Sequence, residues 1–547
     1  MHNFYCSVFL LIIVSLTSAC SSNDFYRENN NTTSLAPSYG YGFLPDLSLI
    51  NTNGLFKRCQ TQTMTNSLDI ALTLHCTAAL LSRQDITDKQ KRKALEKYNN
   101  ATSILFSHRD KSDNLIQVKY TGPSNIFLVD DMSPTDERLS PKIFGEIGVA
   151  AVGRETNQRE DGTSIDNNYP LEGRFSALSI YPTNISLSGL RIHIELTAKP
   201  VRNAQHIQMG SQQYALRYSP SAAYLALLQN ADIHNFSWLG FTTPQEAESR
   251  MGVFSIGPLS ADKTPIIMTH GLNSDPLIWR HLTMAILNTP SLYSRYQIWH
   301  VYYPSGPPPF YNAMRVRTKL RNLKLRLEME TGNTFEDAVF IGHSMGGIIS
   351  KLLTTHSDQK LWDATFTAPP DELLGSEDAT LADVFLFTPV FYNNTVFFLD
   401  TPHRGSDVAN SIIGTIGSAL ISLPYNFKTL FKQFIDKVGV DRLTVAMLPF
   451  LQNYGPDSVQ VLRPNHPLMN ALDTISVQGE SYSIIGSTGA LTCSGSIQCN
   501  AISDSVVSYA SAYIADAEET RIVRSSHNSF QNSTAIEFIV DKLSKQH

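Results

Sequence analysis

One hexapeptide restricts the folds open to this chain more than any other feature. Gly342-His343-Ser344-Met345-Gly346-Gly347 follows directly on the apolar run Asp337–Ile341 (DAVFI) and precedes IISKLL, whose Ile348 and Leu352 stand four apart. The order is strand, sharp turn, helix, and the turn itself is Gly-x-Ser-x-Gly. Such a turn forces its central residue into a strained backbone conformation, and glycine flanks it because nothing larger leaves room. The serine hydroxyl is pushed out over the carboxyl edge of a sheet, at the positive end of a helix dipole. A chain with this turn is expected to build a parallel sheet and to set a nucleophile on it.

The surrounding sequence has the matching rhythm. From about residue 255, short apolar strands alternate with helical stretches: Pro265–Thr269, Tyr296–Tyr302, Asp337–Ile341, Thr395–Leu399, Tyr482–Ile485 and Glu519–Val523. That alternation implies a mostly parallel sheet, with chemistry gathered at the carboxyl ends of its strands. A serine hydroxyl needs a base, and the base needs an orienting acid. Asp504 follows the strand Tyr482–Ile485 and His527 follows Glu519–Val523, so each occupies the loop where acid and base belong. Asp400, ending TVFFLD, is the alternative acid. His403 is expected to serve a structural turn, and His466 to be solvated within an insertion. Two donors must hold an oxyanion: the backbone N–H of Met345, and that of Leu272 in the turn after Pro265–Thr269. His270 is expected to brace that turn.

Taken together, THGL (269–272), GHSMGG (342–347), TPHRGS (401–406), SDSVV (503–507) and SSH (525–527) resemble the α/β-hydrolase superfamily in its lipase/esterase branch. The resemblance implies an α/β-hydrolase fold over 251–547, a Ser344–Asp504–His527 triad, and no metal or organic cofactor. Ser505 stands where the branch usually has Gly, and Asp400 where Gly or Ala is common. The full layout is similar to uncharacterised bacterial lipoproteins with an amino-terminal region before the hydrolase. The stretch 406–480 is long enough to form a lid. Within it Phe427, Leu430, Phe431, Phe434, Ile435 and Val438 make an apolar stripe at helical spacing, opposite Lys428, Lys432 and Lys437.

The first half carries no visible catalytic constellation. Residues 1–19 read as a signal peptide: the apolar run Ser7–Leu16 is too short to cross a bilayer, which takes about 20 residues. Ser18-Ala19-Cys20 resembles a bacterial lipobox, although no Lys or Arg precedes the apolar run. Of the 6 cysteines, Cys6 falls in the signal; lipidation of Cys20 leaves four, which pair locally as Cys59–Cys76 and Cys493–Cys499. Residues 20–45 are expected to be a tether, and 46–250 a separate α+β, β-rich domain of unknown role. It starts with a helical hairpin, Met64–Ser82 and Asp88–Phe106. Ser21 after the lipidated cysteine suggests the outer membrane by resemblance to sorted lipoproteins; secretion without an anchor is the alternative. The chain has 547 residues, enough for two domains, and its net charge of -6 argues against a nucleic-acid partner.

These readings converge on a serine carboxylic-ester hydrolase of the bacterial cell envelope, acting on a lipid or other acyl ester. Two alternatives share the fold. One is acyl transfer through the same triad; the other is a binding lipoprotein that keeps the fold without turnover. Resemblance to deacylases of glycolipid anchors adds complex lipids to the expected substrates. Oligomeric state is not legible.

Overall fold

The computed structural model describes residues 24–29, 34–111, 113–230, 244–375, 379–406, 423, 425–450 and 457–546. The expected signal peptide and Cys20 lie outside them. Residues 24–29, expected in the tether, are packed onto the body instead. Tyr26–Glu28 pairs antiparallel with Met132–Pro134, and Phe25 and Tyr26 are buried. Two aromatic side chains at that point make a docked edge more favourable than a solvated linker.

The amino-terminal half opens with three helices, α1 (Thr52–Thr61), α2 (Ser67–Leu81) and α3 (Asp88–Ser107). The hairpin expected from the sequence is thus α2 and α3, with α1 added before it. Asn66 caps α2 by accepting from Asp69 N–H, and Thr87 and Gln90 form a capping box on α3. The Cys59–Cys76 disulfide ties α1 to α2, and Cys493–Cys499 closes a short loop in the other half. Five strands follow: β1 (Ile116–Thr121), β2 (Ile126–Leu128), β3 (Val149–Glu155), β4 (Arg174–Ser188) and β5 (Arg191–Pro200). Their order is β1-β5-β4-β3-β2, with β1 parallel to β5 and the other pairs antiparallel.

The sequence of β3 shows how this sheet is placed. Val149 and Ala151 point into the cluster formed with α2 and α3, whereas Ala150 and Val152 join a second cluster on the opposite face. That second cluster contains helix α4 (Pro220–Asn230) and also Ile266, Met268, Ile298 and Val339 of the carboxyl-terminal sheet. The amino-terminal half therefore has its own sheet and helical layer but shares a core with the rest of the chain. Expected separateness gives way to a fused interface, with α4 buried almost all round.

The carboxyl-terminal sheet has seven strands: β6 (Gly252–Ile256), β7 (Thr264–Thr269), β8 (Tyr296–Tyr302), β9 (Asp337–His343), β10 (Asn393–Leu399), β11 (Gly479–Ser487) and β12 (Glu519–Arg524). Their order is β6-β8-β7-β9-β10-β11-β12, parallel throughout except for β6 against β8. The six strands expected from sequence are all present; β6 is the one not foreseen. Helices cover both faces. On one side lie α4, α5 (Arg280–Leu287) and α9 (Ser533–Lys545); on the other lie α6 (Pro309–Thr331) and α7 (Met345–Leu353). Val316, Leu320, Leu323 and Leu327 form the buried stripe of α6. Arg317 on the same helix is buried and donates to the carbonyls of Asp383 and Leu352. Helix α8 (Tyr425–Val438) lies within the expected lid region, with Phe427 and Val438 buried and Leu430 and Ile435 packed on the core. Phe434 and residues 407–422 fall outside what is described. Among the described residues no helix is long and apolar enough to cross a membrane.

The shared core makes a prediction. Leu225 on α4 is fully buried in the cluster common to both sheets. Leu225→Ala should cost about 2–5 kcal/mol. Three of the four tryptophans, Trp279, Trp299 and Trp362, are buried in the carboxyl-terminal half, so tryptophan fluorescence reports mainly on it. Its denaturation curve should coincide with the loss of far-ultraviolet circular dichroism in wild type and variant alike.

Candidate active site

Ser344 sits between the last residue of β9 and the first of α7, with φ 54° and ψ -125°. Its N–H donates to the carbonyl of Leu399 on the neighbouring strand at 2.8 Å. The flanking glycines are required by contact. A Cβ on Gly342 would stand 2.5 Å from the Gly346 carbonyl oxygen, and one on Gly346 would stand 2.2 Å from that of Thr269. The elbow is thus wedged against β7, and its serine is directed to the carboxyl end of the sheet.

His527 meets that serine from the loop after β12. Its Nε2 lies 2.9 Å from Ser344 Oγ, and its Nδ1 lies 2.7 Å from Asp504 Oδ2. A carboxylate only accepts, so Nδ1 carries the proton and Nε2 is left to accept from the serine. Asp504 is itself fixed: its Oδ1 accepts the N–H groups of Val506 and Val507 at 2.7 and 2.6 Å. Ser505, between them, has φ 78°, a conformation in which glycine is easier. Burial pulls the basicity of His527 down, but the hydrogen bond and charge of Asp504, with the charge of Asp400, outweigh it. The net shift is upward from 6.5.

Of the two acids weighed from sequence, the histidine bonds Asp504. Asp400 is fully buried and accepts elsewhere, from Gly486 N–H at 2.7 Å and Ser529 N–H at 3.0 Å. Both expected oxyanion donors lie next to the serine. Met345 is the first residue of α7, so its N–H is one of those a helix cannot use internally. Leu272 lies one residue after Gly271, where an added Cβ would stand 3.1 Å from Ser344 Cβ. That turn is braced by His270, whose ring stacks on Tyr303 at 4.3 Å and whose carbonyl accepts from Tyr303 Oη at 2.6 Å. Burial lowers the His270 pKa to about 4.

The other histidines take no part in this chain of bonds. His403 is buried edge-on against Phe398. His466, expected to be solvated, is fully buried: Nδ1 accepts Leu468 N–H to cap a short helix, and the ring packs on Phe450. A polar residue in an insertion reads as exposed only until that insertion folds onto the body. Sequence reasoning also missed His343. Burial, then the nearby charge of His527, holds it well below its usual pKa. Its position inside the motif was the available signal. Among the described residues, His343, Asp400 and His527 bring metal-type donor atoms within 4.8 Å of one another. Gathering all three on an ion would break the bonds of His527 to Ser344 or Asp504.

No family model matches the chain, and no curated protein does. Solved structures do show likeness. One is the mature form of Bacillus licheniformis lipase BlEst2, at 16% identity and a TM-score of 0.30, over 53% of this chain and 97% of that one. Another is phospholipase PlaB from Legionella pneumophila, at 13% and 0.25, over 46% of this chain and 45% of that one. A third is the butyrate-bound esterase Est2 from Thermogutta terrifontis, at 10% and 0.26, over 52% and 84%. At such identities and scores these likenesses say nothing of what this chain acts on; its own hydrogen bonds have to carry that.

Proposed function

We propose that the chain is a serine hydrolase of carboxylic esters that works through an acyl-enzyme. One observation carries the reading: an unbroken chain of hydrogen bonds from Ser344 Oγ through His527 to Asp504, at a strained turn with two backbone N–H groups beside it. In the first half-reaction Ser344 Oγ bonds to the acyl carbon while its proton passes to His527 Nε2. Asp504 holds the imidazole in place and stabilises its cation. The N–H groups of Leu272 and Met345 take the negative charge on the carbonyl oxygen. Collapse breaks the ester C–O bond, and the His527 proton leaves with the alcohol. Water then adds to the acyl-enzyme, giving its proton to the same histidine, and the acid departs as Ser344 recovers its hydrogen.

The proposed substrate has an apolar acyl chain. An apolar pocket lies against helix α8, lined by Phe310, Tyr311, Phe385, Phe427, Phe431 and Met447 among others. Tyr311 and Phe427 close on each other edge-to-face at 5.0 Å. The pocket belongs to the apolar cluster that also contains Met345, with Leu272 packed against it. We place the protein at a membrane through lipidated Cys20. With the body already packed from Asp24 onward, such an anchor would hold it within about 15 Å of the bilayer.

A fluorophosphonate probe applied to the purified protein should label Ser344 alone, as read by peptide mass. Ser344→Ala and His527→Ala should each abolish that adduct while the protein stays folded. No adduct on a folded wild-type protein would sink the reading. A positive result should be followed by esters of increasing acyl length, with turnover favouring chains long enough to enter the pocket against α8.

The pH dependence has a definite sign. Attack needs neutral His527, and its pKa is raised above 6.5, so labelling should climb with pH through an apparent pKa above that value. Asp504→Asn removes the partner that raises it. The limb should then move to lower pH, with the plateau rate about 10⁴-fold lower.

A further inference from the structure

The structure assigns a second carboxylate to this site: we propose that Asp400 is a positioning residue that locks the three tips carrying Ser344, Asp504 and His527 in register and sets a second carboxylate beside His527. The inference rests on the reading of Ser344 and His527 as nucleophile and base, and adds a residue that no step of that reaction uses.

Three observations support it. The first is connectivity. Asp400 follows Leu399, whose carbonyl accepts the Ser344 N–H, and its own N–H donates to Ile484 on β11. Its carboxylate accepts from Gly486 at the end of β11 and from Ser529, two residues beyond His527. Asp400 therefore ties the end of β10, whose Leu399 holds the elbow, to β11 and to the loop after β12. The second is strain. Asp400 has φ 49°, unusual for a residue other than glycine, and a fully buried side chain. A conformation of that kind persists only where the surroundings over-determine it, and here the two backbone donors do so. A glycine at this position would relieve the strain and lose the carboxylate.

The third observation is how closely the two acids are packed. Gly486 passes between them: a Cβ there would stand 3.0 Å from Asp400 Oδ1 and 3.2 Å from Asp504 Cβ. The charged and titratable groups facing Asp400 are Asp504, His527 and His343. The last lies 3.8 Å away through Nε2, beyond a hydrogen bond, and is kept neutral by burial and the charge of His527, with His270 behind it. Asp400 lies within 4.8 Å of His527 by donor atoms and raises its pKa through space, while Asp504 does so through a bond. Burial and then the charge of Asp504 push the Asp400 carboxyl upward, so it exchanges its proton nearer to the range of His527 than an ordinary aspartate would.

The test follows the pH dependence of the fluorophosphonate labelling rate in Asp400→Asn and Asp400→Ser, each checked for folding by circular dichroism. Folded variants should label about 10- to 100-fold more slowly because the reacting groups lose register. The limb assigned to His527 should also move to lower pH by about half a unit or more. A folded variant with the wild-type rate and an unmoved limb would overturn the proposal. A slow variant with an unmoved limb would overturn its electrostatic half, leaving a residue that only supports the fold. Should neither variant fold, the wild-type protein still decides. Protonating Asp400 weakens the hold of His527 on its proton, so the imidazole resonance of His527 should titrate more broadly than a one-proton curve. A clean one-proton curve there would overturn the coupling. A wild-type protein that takes no label at all would instead remove the hydrolase reading on which this inference stands.

Discussion

The hydrogen bond from Ser344 N–H to the Leu399 carbonyl ties the elbow to the neighbouring strand and makes a strained residue tolerable. A serine at φ 54° costs on the order of 1–3 kcal/mol against ordinary backbone, and the parallel pairing of β9 with β10 on one side and β7 on the other holds it there. The strain is not scattered. Among the described residues, six other than glycine have positive φ, and Asn273, Ser344, Asp400 and Ser505 all lie in loops at the carboxyl end of this sheet. Ser344 and Asp400 directly follow strand ends, where the chain must turn without losing contact with its neighbour. The energy held there is supplied by the apolar burial on both faces of the sheet, which is large enough to absorb it.

That burial includes the amino-terminal half. Strand β3 divides its side chains between two clusters, and the second runs through α4 into the strands β7, β8 and β9. The region without visible chemistry thus backs the sheet on which the chemistry is proposed. A rigid support behind strand tips is what a preorganised site requires, since an ångström of misplacement at the reacting atoms costs about 10²-fold in rate. The packing of Phe25 and Tyr26 onto this half shortens the free segment after Cys20, so an anchored protein would be held close to the bilayer rather than on a long tether.

Legibility followed burial pattern. The strands β7 to β12 were readable because each is a short apolar run between turn residues, and the elbow because its glycines and serine have one mechanical solution. Asp504 and His527 were found from position in that order of strands, and the structure brings both to Ser344. β3 offers no alternation to read, since VAAVG is buried on both faces. β6 was missed because a short antiparallel edge strand has no crossover helix to announce it. His466 was misplaced because its burial depends on how an insertion folds back, which local sequence does not encode. The anchoring role of Asp400 was equally out of reach: its partners are backbone N–H groups 86 and 129 residues away.

The carboxyl-terminal half carries buried histidines at several of its motifs, and a histidine in a motif is not by that fact a base. His270 and His466 are driven to about 4 by burial, and His343 and His403 fall well below their usual value for the same reason. Burial favours the neutral form in all four: His270 stacks on Tyr303, His343 and His403 pack edge-on against Phe530 and Phe398, and His466 caps a short helix. His527 is buried as well, and desolvation acts on it in the same direction. What separates it is company: one carboxylate bonded to Nδ1 and a second within 4.8 Å, which together outweigh the desolvation. In the proposed reaction the base is the histidine that the fold surrounds with acids. That is why the carboxyl ends of β10 and β11, rather than the histidine loop itself, decide what this site can do.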